Sequence, residues 1–151
     1  MAKKKAPTLR IEMARRTNRR LPRKLLLNVV KRALADSGLS WEVSLAVVGD
    51  EEIARLNKQY LGKARPTDVL SFRLDDEGDE TAMGQIVISA DTAAREALAR
   101  EIPFRDEIAL YAAHGALHLL GHLDGTAEER RRMMTLEFVV LSDSGISRPQ
   151  E

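Results

Sequence analysis

Hydrophobic and polar positions repeat with two different periods along this chain. Leu9, Ile11 and Met13 alternate with polar or charged neighbours, which is the period of a half-buried strand. From Pro22 onward the apolar residues instead recur every three or four positions, which predicts a helix that ends at Gly38. The recurring apolar positions of that helix are Leu25, Leu26, Val29, Val30, Ala33 and Leu34.

The same two periods predict elements in the order βαβαββααα. This alternation predicts an α/β layer structure with a small mixed sheet. Strand patterns occupy residues 9–13, 41–48, 67–72 and 84–89, and helix patterns occupy residues 22–37, 51–60, 91–100, 103–120 and 126–141.

Length and composition predict one domain at residues 8–144 of the 151-residue chain. Residues 1–7 are predicted to be a disordered basic tail, and residues 145–151 a flexible C-terminal tail. The sequence contains no cysteine, which excludes both a disulfide framework and a thiolate metal site. Because it has neither a signal peptide nor an apolar run of the ~20 residues that cross a bilayer, we expect a cytoplasmic protein without membrane contact.

Charge is distributed unevenly, although the net charge is only +1. Residues 1–32 hold twelve Lys or Arg and one acid, whereas the rest of the chain holds twelve basic and twenty-two acidic residues. Arg23 and Lys24, at the start of the predicted first helix, are therefore candidates for contact with phosphates or another anionic surface. The alternative is a solvated tail and a basic helix face that only aid solubility.

All three histidines of the chain lie within nine residues, at positions 114, 118 and 122. His114 and His118 are four residues apart in a predicted helix, so both imidazoles project from one face toward a single divalent cation. A straight helix would carry His122 roughly 12 Å beyond His114. Gly121 allows the chain to leave the helix and turn back, which would bring the carboxylate of Asp124 to the metal. Spacing therefore favours Asp124 as the third ligand, whereas residue type favours His122.

The histidines could instead be ordinary helix residues without a metal. A His-x-x-x-His pair followed by an acid after a glycine favours the metal site. Gly115 stands where peptidases with an H-E-x-x-H helix carry their general-base Glu. The absence of that Glu argues against proteolysis and leaves metal-assisted hydrolysis open.

Three segments of the sequence together resemble the bacterial YbeY family of metal-dependent endoribonucleases and rRNA maturation factors. Residues 114–121, HGALHLLG, resemble the family's H-G-x-L-H-L-x-G signature. Residues 56–72 resemble its L-N-x-x-[YF]-R-x-x-x-x-P-T-D-V-L-S-F stretch, and residues 84–89, GQIVIS, resemble its G-D-I-x-I-S strand. The resemblance implies an αβα fold, a zinc site and a cytosolic location. It also implies work on ribosomal RNA in 16S 3′-end maturation and ribosome quality control, with rRNA and ribosomal subunits as partners and no DNA.

Three positions depart from the family pattern. Asp124 stands where the family has its third zinc-binding histidine, and His122 stands at a position that is usually Tyr or His and need not bind metal. Leu61 replaces an arginine that is thought to engage RNA phosphate, a contact that leucine cannot make. Gln85 replaces an Asp.

The leading hypothesis is therefore a zinc-dependent endoribonuclease that cleaves single-stranded RNA. Leu61 favours an alternative, a non-catalytic ribosome-assembly or RNA-binding factor with a structural metal, and a zinc peptidase is third. Arg65 is the candidate catalytic residue because it lies in the same loop as the missing arginine. The candidate metal ligands are His114, His118 and Asp124, with His122 as the backup, and the candidate RNA-binding residues are Lys63, Arg73, Arg23 and Lys24.

Overall fold

A computed structural model of the protein describes residues 6–147. The element order is the predicted one, and within residues 6–147 no helix is both long enough and apolar enough to span a membrane. The elements are β1 (Leu9–Arg15), α1 (Arg23–Ala35), β2 (Ser40–Val48), α2 (Asp50–Leu61), β3 (Val69–Arg73), β4 (Thr81–Ser89), α3 (Ala90–Arg100), α4 (Phe104–Leu119) and α5 (Ala127–Asp143).

The four strands form one mixed sheet in the order β1-β2-β4-β3. Strands β1, β2 and β4 are parallel, and β3 pairs antiparallel with β4 at the edge, with Val69 opposite Ile88 and Arg73 opposite Gly84. Parallel neighbours require crossover connections, which α1 and the α2–β3 segment provide. The predicted α/β fold with a small mixed sheet is confirmed.

Helices cover both faces of the sheet, so the fold has the predicted αβα layers. The larger core joins inward residues of β2 and β4 to α1, α4 and α5, and the predicted apolar face of α1 is part of it. On the opposite face α2 places Ile53 over a smaller core. The other buried members of that smaller core are Ala46, Val48, Leu70 and Val87.

Glycines stand at two contact points between helix α4 and the sheet, where there is no room for a side chain. A Cβ on Gly115 would come within 2.7 Å of Cγ2 of Ile86, and a Cβ on Gly84 would come within 2.7 Å of Cδ1 of Leu119. The hydroxyl of Ser71 on β3 also donates a hydrogen bond to the carbonyl of Gly115 at 2.9 Å. These contacts hold α4, the helix that carries two histidines, in a defined position on the sheet.

All four strands differ from the sequence prediction at one or both ends by one to three residues, and β1, for example, ends at Arg15 rather than residue 13. Strand β4 begins at Thr81 rather than residue 84, because residues 81–83 pair in register with residues 40–42 of β2. Strand β3 begins at Val69 rather than residue 67, since the carboxylate of Asp68 accepts a hydrogen bond from the Val69 amide and ends the loop there.

The predicted tails lie partly outside the described residues. Residues 1–5 and 148–151 are not described, and residues 6–8 belong to no helix or strand. Ile146 was assigned to the C-terminal tail, yet it is buried in the larger core and its amide donates to the carbonyl of Leu141. The limits of the domain at residues 8 and 144 stay predictions.

Candidate metal centre

His114 and His118 lie one turn apart on α4, as their spacing predicts. Their Nε2 atoms are 2.9 Å apart, and the two rings meet edge to face with centroids 4.4 Å apart. Both side chains are partly exposed, at 22% and 27%. The two imidazoles therefore converge on one point at the protein surface rather than packing into the core.

A glycine turn brings Asp124 back to the same point. Gly121 adopts a φ of 95°, and its amide donates to the carbonyl of His118 at 2.9 Å. The amide of His122 donates to the carbonyl of Leu117 at 3.2 Å, which completes a Schellman motif. Oδ2 of Asp124 then lies 3.3 Å from Nε2 of each histidine.

These three side chains form the only group of potential metal ligands that we find among residues 6–147. Their ligand atoms all lie within 4.8 Å of one another. Tetrahedral ligands on zinc, with bonds of roughly 2.0–2.1 Å, would be about 3.3 Å apart, which is the separation of the Asp124 oxygen from both imidazoles. Two imidazole nitrogens and one carboxylate oxygen are donors that zinc accepts, so His114, His118 and Asp124 fit the metal.

His122, the backup ligand, does not belong to this group. It follows the Gly121 turn but lines a separate cavity of about 190 Å³, together with Glu129, Arg132 and Met133 on α5. The structure thus brings together His114, His118 and Asp124, the ligands that spacing favoured, rather than the three histidines that residue type favoured.

Glu137 on α5 is a part of the centre that the sequence analysis did not identify. The residue is only 8% exposed, and its Oε1 lies 3.4 Å from Nδ1 of His114. Burial by itself lowers the pKa of His114, but the hydrogen bond to Glu137 and the charges of Glu137, Asp68 and Asp124 raise it overall. One signal was visible in the sequence, because Glu137 interrupts the otherwise apolar run Leu136–Leu141.

A cleft of about 440 Å³ opens beside His114 and Glu137. Its other walls include Asp68 and Arg100, whose guanidinium lies 3.6 Å from the Glu107 carboxylate. Burial and the Glu107 carboxylate raise the pKa of Tyr111, another lining residue, so that its phenol stays protonated. The cleft beside the metal group is thus lined mainly by acidic and hydroxyl groups.

A second cleft of about 440 Å³ adjoins the first. Both clefts are lined by Pro66 and Thr67, so these two residues form their common wall. The second cleft carries positive charge from Lys63 and Arg65, and Leu61 lies in the same wall. The predicted catalytic residue and one predicted RNA-binding residue therefore lie next to the cleft of the metal group.

One buried side chain anchors the loop that carries these cations. Asn57 is 4% exposed, and its amide nitrogen donates to the carbonyl of Arg65 at 3.0 Å. Gly62 ends α2 with a φ of 74°, which turns the chain out of the helix just after Leu61. The side chains of Lys63 and Arg65 are exposed.

The remaining candidate RNA-binding residues lie in different settings. Arg73 is engaged on three sides: it pairs with Asp75, donates to the carbonyl of Leu119 at 3.2 Å and stacks 4.6 Å above the Trp41 ring. Arg23 and Lys24 are exposed in the first turn of α1, and neither lines the two clefts. Arg73 therefore has a structural role that the sequence did not reveal, because two of its partners, Leu119 and Trp41, lie far away in the chain.

Comparison with known proteins identifies the chain's relatives. The family model described as "Endoribonuclease YbeY" matches residues 8–145. The chain is 40% identical to the endoribonuclease YbeY of Syntrophotalea carbinolica in an alignment of 131 residues. That alignment covers 82% of this chain and 87% of the relative. It is 38% identical to the Bacillus subtilis endoribonuclease YbeY over 117 residues, 71% of this chain and 74% of the relative.

A solved structure shares the fold. The solution structure of TM1509 from Thermotoga maritima aligns with a TM-score of 0.59 and 25% identity. The alignment covers 95% of this chain and 99% of that one. The similarity thus spans the sheet, helix α4 and helix α5 together.

Proposed function

The chain belongs to the YbeY family of endoribonucleases, and we propose that it is a zinc-dependent enzyme that cleaves single-stranded RNA. In this proposal it acts in the cytoplasm on ribosomal RNA, in 16S 3′-end maturation and ribosome quality control, with ribosomal subunits as partners. The observation that carries the proposal is the convergence of His114, His118 and Asp124 beside a cleft in a chain of this family.

His114, His118 and Asp124 would hold zinc through three bonds, so that a water or a substrate oxygen could be its fourth ligand. Bound there, zinc would supply Lewis-acid chemistry, either by polarising a phosphoryl oxygen or by lowering the pKa of a water. His114 and His118 direct their ring nitrogens from one helix face toward the point where zinc would bind, and Asp124 adds a negative charge that imidazole would not. Partial exposure of the three side chains lets a bulky substrate reach them.

The cations of the α2–β3 loop (residues 62–68) would bind the RNA backbone. Lys63 and Arg65 line the cleft that adjoins the metal cleft, and each can offset the charge of a phosphate. The acidic cleft beside His114 repels phosphates, so the backbone would enter from the side of Arg65. In this arrangement Arg65 does the work of the arginine that Leu61 replaces.

A second candidate function is an RNA-binding or ribosome-assembly factor in which the metal only braces α4 and the following turn. Leu61 is the specific observation in its favour. It is 56% exposed in the wall of the second cleft, at the position where the resemblance to the family implies an arginine. A zinc peptidase has no such support, because a Cβ at position 115 would meet Ile86 and Val69 and leaves no room for a general-base Glu.

The test is cleavage of a labelled single-stranded fragment from the 3′ end of 16S rRNA. Zinc-loaded wild type is compared with the His114→Ala, His118→Ala double variant and with wild type after chelation. We expect cleavage only by the loaded wild type, restored when zinc is added back. Equal cleavage by wild type and the double variant would contradict the proposal, because cleavage would then not depend on the metal group.

RNA binding separates the two candidates. If wild type binds the fragment but does not cleave it, Leu61→Arg is assayed next. Cleavage gained by that variant would show that the machinery is intact except for one cation. Binding without cleavage in both proteins would establish the non-catalytic function instead.

A further inference from the structure

Glu137 is a buried acid in an apolar part of α5. Its chain neighbours Leu136 and Phe138 are hydrophobic, and the residue itself is 8% exposed. Removing a carboxylate from water is costly unless it is hydrogen-bonded or paired, so a buried acid is expected to have a partner. The described partner is the Nδ1 atom of His114, 3.4 Å from Oε1.

The two nitrogens of the His114 ring therefore face different groups. Nδ1 faces Glu137 on α5, whereas Nε2 faces the other members of the metal group, His118 and Asp124. In a neutral imidazole one nitrogen carries the proton and the other carries the lone pair. A carboxylate beside Nδ1 favours the proton there and leaves the lone pair on Nε2, where a metal would bind.

We propose that Glu137 is a positioning residue that orients His114 and selects its metal-binding tautomer. This inference rests on the proposed metal site, and it adds to that site a fourth residue from a different helix. Glu137 would contribute without touching the metal, by accepting the Nδ1–H hydrogen bond. Outer carboxylates of this kind commonly orient metal-binding histidines in proteins.

The two histidines differ in this respect. Among residues 6–147, no hydrogen bond to Nδ1 of His118 is found, so only His114 is held from both sides of its ring. Helix α5 thereby contributes to the geometry of a centre whose three ligand-bearing residues all lie before it in the chain. Loss of Glu137 should thus act through His114 alone.

The first measurement is zinc affinity, by competition with a chromophoric chelator. We expect Glu137→Ala to bind zinc about 10- to 100-fold more weakly than wild type, the range typical of lost outer-shell partners. Glu137→Gln should lose less, because its amide oxygen can accept the same hydrogen bond. Glu128→Gln is the matched control, since Glu128 lies on the same helix with its side chain 78% exposed.

The second measurement reads the tautomer directly. Long-range ¹⁵N–¹H spectra of the metal-free protein, at alkaline pH where the ring is neutral, should show His114 with its proton on Nδ1. Glu137→Ala should show a mixture of tautomers at His114 and no change at His118. A merely structural role of Glu137 would move the melting temperature but not the tautomer of one ring.

The outcomes distinguish this inference from the proposed function. If wild type binds no zinc, the proposed metal site is contradicted. The spectra of the metal-free protein still test the hydrogen bond from Nδ1 of His114 to Glu137. A wild type that binds zinc, with Glu137→Ala folded and within twofold of its affinity, overturns the role of Glu137. An unchanged His114 tautomer in the Ala variant, together with equal affinity, also overturns it. If the Ala variant does not fold, Glu137→Leu takes its place, because leucine fills a similar volume and accepts no hydrogen bond.

Discussion

The metal group and the α2–β3 loop flank two adjoining clefts, yet they are held in place very differently. His114 and His118 stand on a helix pressed against the sheet through Gly115, and the turn at Gly121 positions Asp124 through two backbone hydrogen bonds. The loop has exposed cations and one buried anchor, Asn57. Within residues 6–147, no ion pair is found for the loop's Lys63 or Arg65, the cations that its proposed function requires.

This difference explains which changes the two regions accommodate. In the metal group, Asp124 stands where the resemblance to the family implies a histidine, and the three candidate ligand atoms still converge. In the wall of the second cleft, Leu61 at the end of α2 stands where the resemblance implies an arginine. Backbone packing constrains where a ligand atom lies, whereas an exposed side chain is constrained mainly by its own chemistry.

The largest effect should come from removing a ligand of the rigid region. We expect His118→Ala to weaken zinc binding by more than the roughly 10- to 100-fold that follows loss of an outer hydrogen bond. The reason is that the metal loses one of three protein bonds rather than the orientation of one. Elemental analysis after dialysis, followed by a competition titration, measures the change. Full zinc occupancy in the folded variant would refute the assigned ligand set.

The next effect tests whether close packing holds the metal helix. Gly115→Ala puts a Cβ 2.7 Å from Cγ2 of Ile86 and 3.0 Å from Cγ2 of Val69, both on stiff β-branched side chains. Overpacking of this kind costs about 1–3 kcal/mol in the free energy of unfolding, and each kcal/mol lowers the melting temperature by about 2–4 °C.

A matched glycine elsewhere provides the control for that experiment. At Gly125 an added Cβ meets only Oε1 of Glu129, at an ordinary 3.6 Å, and Gly125 has no positive φ. Gly125→Ala should therefore change the free energy of unfolding by less than Gly115→Ala does. Equal melting temperatures for the two variants, measured by calorimetry without metal, would show that α4 is not tightly packed there.

The α2–β3 loop should give a smaller, salt-dependent effect. Arg65→Ala should weaken binding of single-stranded RNA for all sequences and reduce the slope of log affinity against log salt by about 1, because one phosphate contact is lost. Leu61→Arg should increase that slope by a similar amount. Filter-binding titrations at several salt concentrations measure both.

An arginine distant in the chain from the loop controls for net charge. Arg105 lies at the start of α4 with its side chain 61% exposed, and it does not line either cleft. Arg105→Ala should leave the salt slope close to that of wild type. If Arg65→Ala and Arg105→Ala reduce the salt slope equally, RNA binding depends on the overall charge of the protein, and the α2–β3 loop has no special part in it.

Sequence reasoning succeeded where a local rule determines the geometry. The spacing of His114 and His118 placed both rings on one face, and Gly121 predicted the turn that returns Asp124. Local rules of this kind do not predict contacts between segments that are distant in the chain. Glu137 lies 23 residues after His114, and nothing local indicates which ring it meets. The pairing of residues 81–83 with β2 was missed for the same reason, because register depends on a partner strand.

The smallest expected effect concerns His122. Spacing argues against this residue as the third metal ligand, whereas residue type argues for it. Its ring lies in a cavity with Glu129 and Arg132, away from the point where the other two histidines meet. We therefore expect His122→Ala to bind zinc within about twofold of wild type, since no bond or outer hydrogen bond to the metal is lost. Asp124→Ala, measured beside it, should lose most of its zinc affinity.

A reversed result would be equally informative. If His122→Ala lost the metal while Asp124→Ala kept it, the segment after Gly121 would have to rearrange on binding and exchange its carboxylate for an imidazole. The Schellman hydrogen bond from the His122 amide to Leu117 would then have to break, because it fixes the direction in which residue 122 leaves the helix. Intact bonds at that turn are therefore the physical reason to expect Asp124 to remain the third ligand.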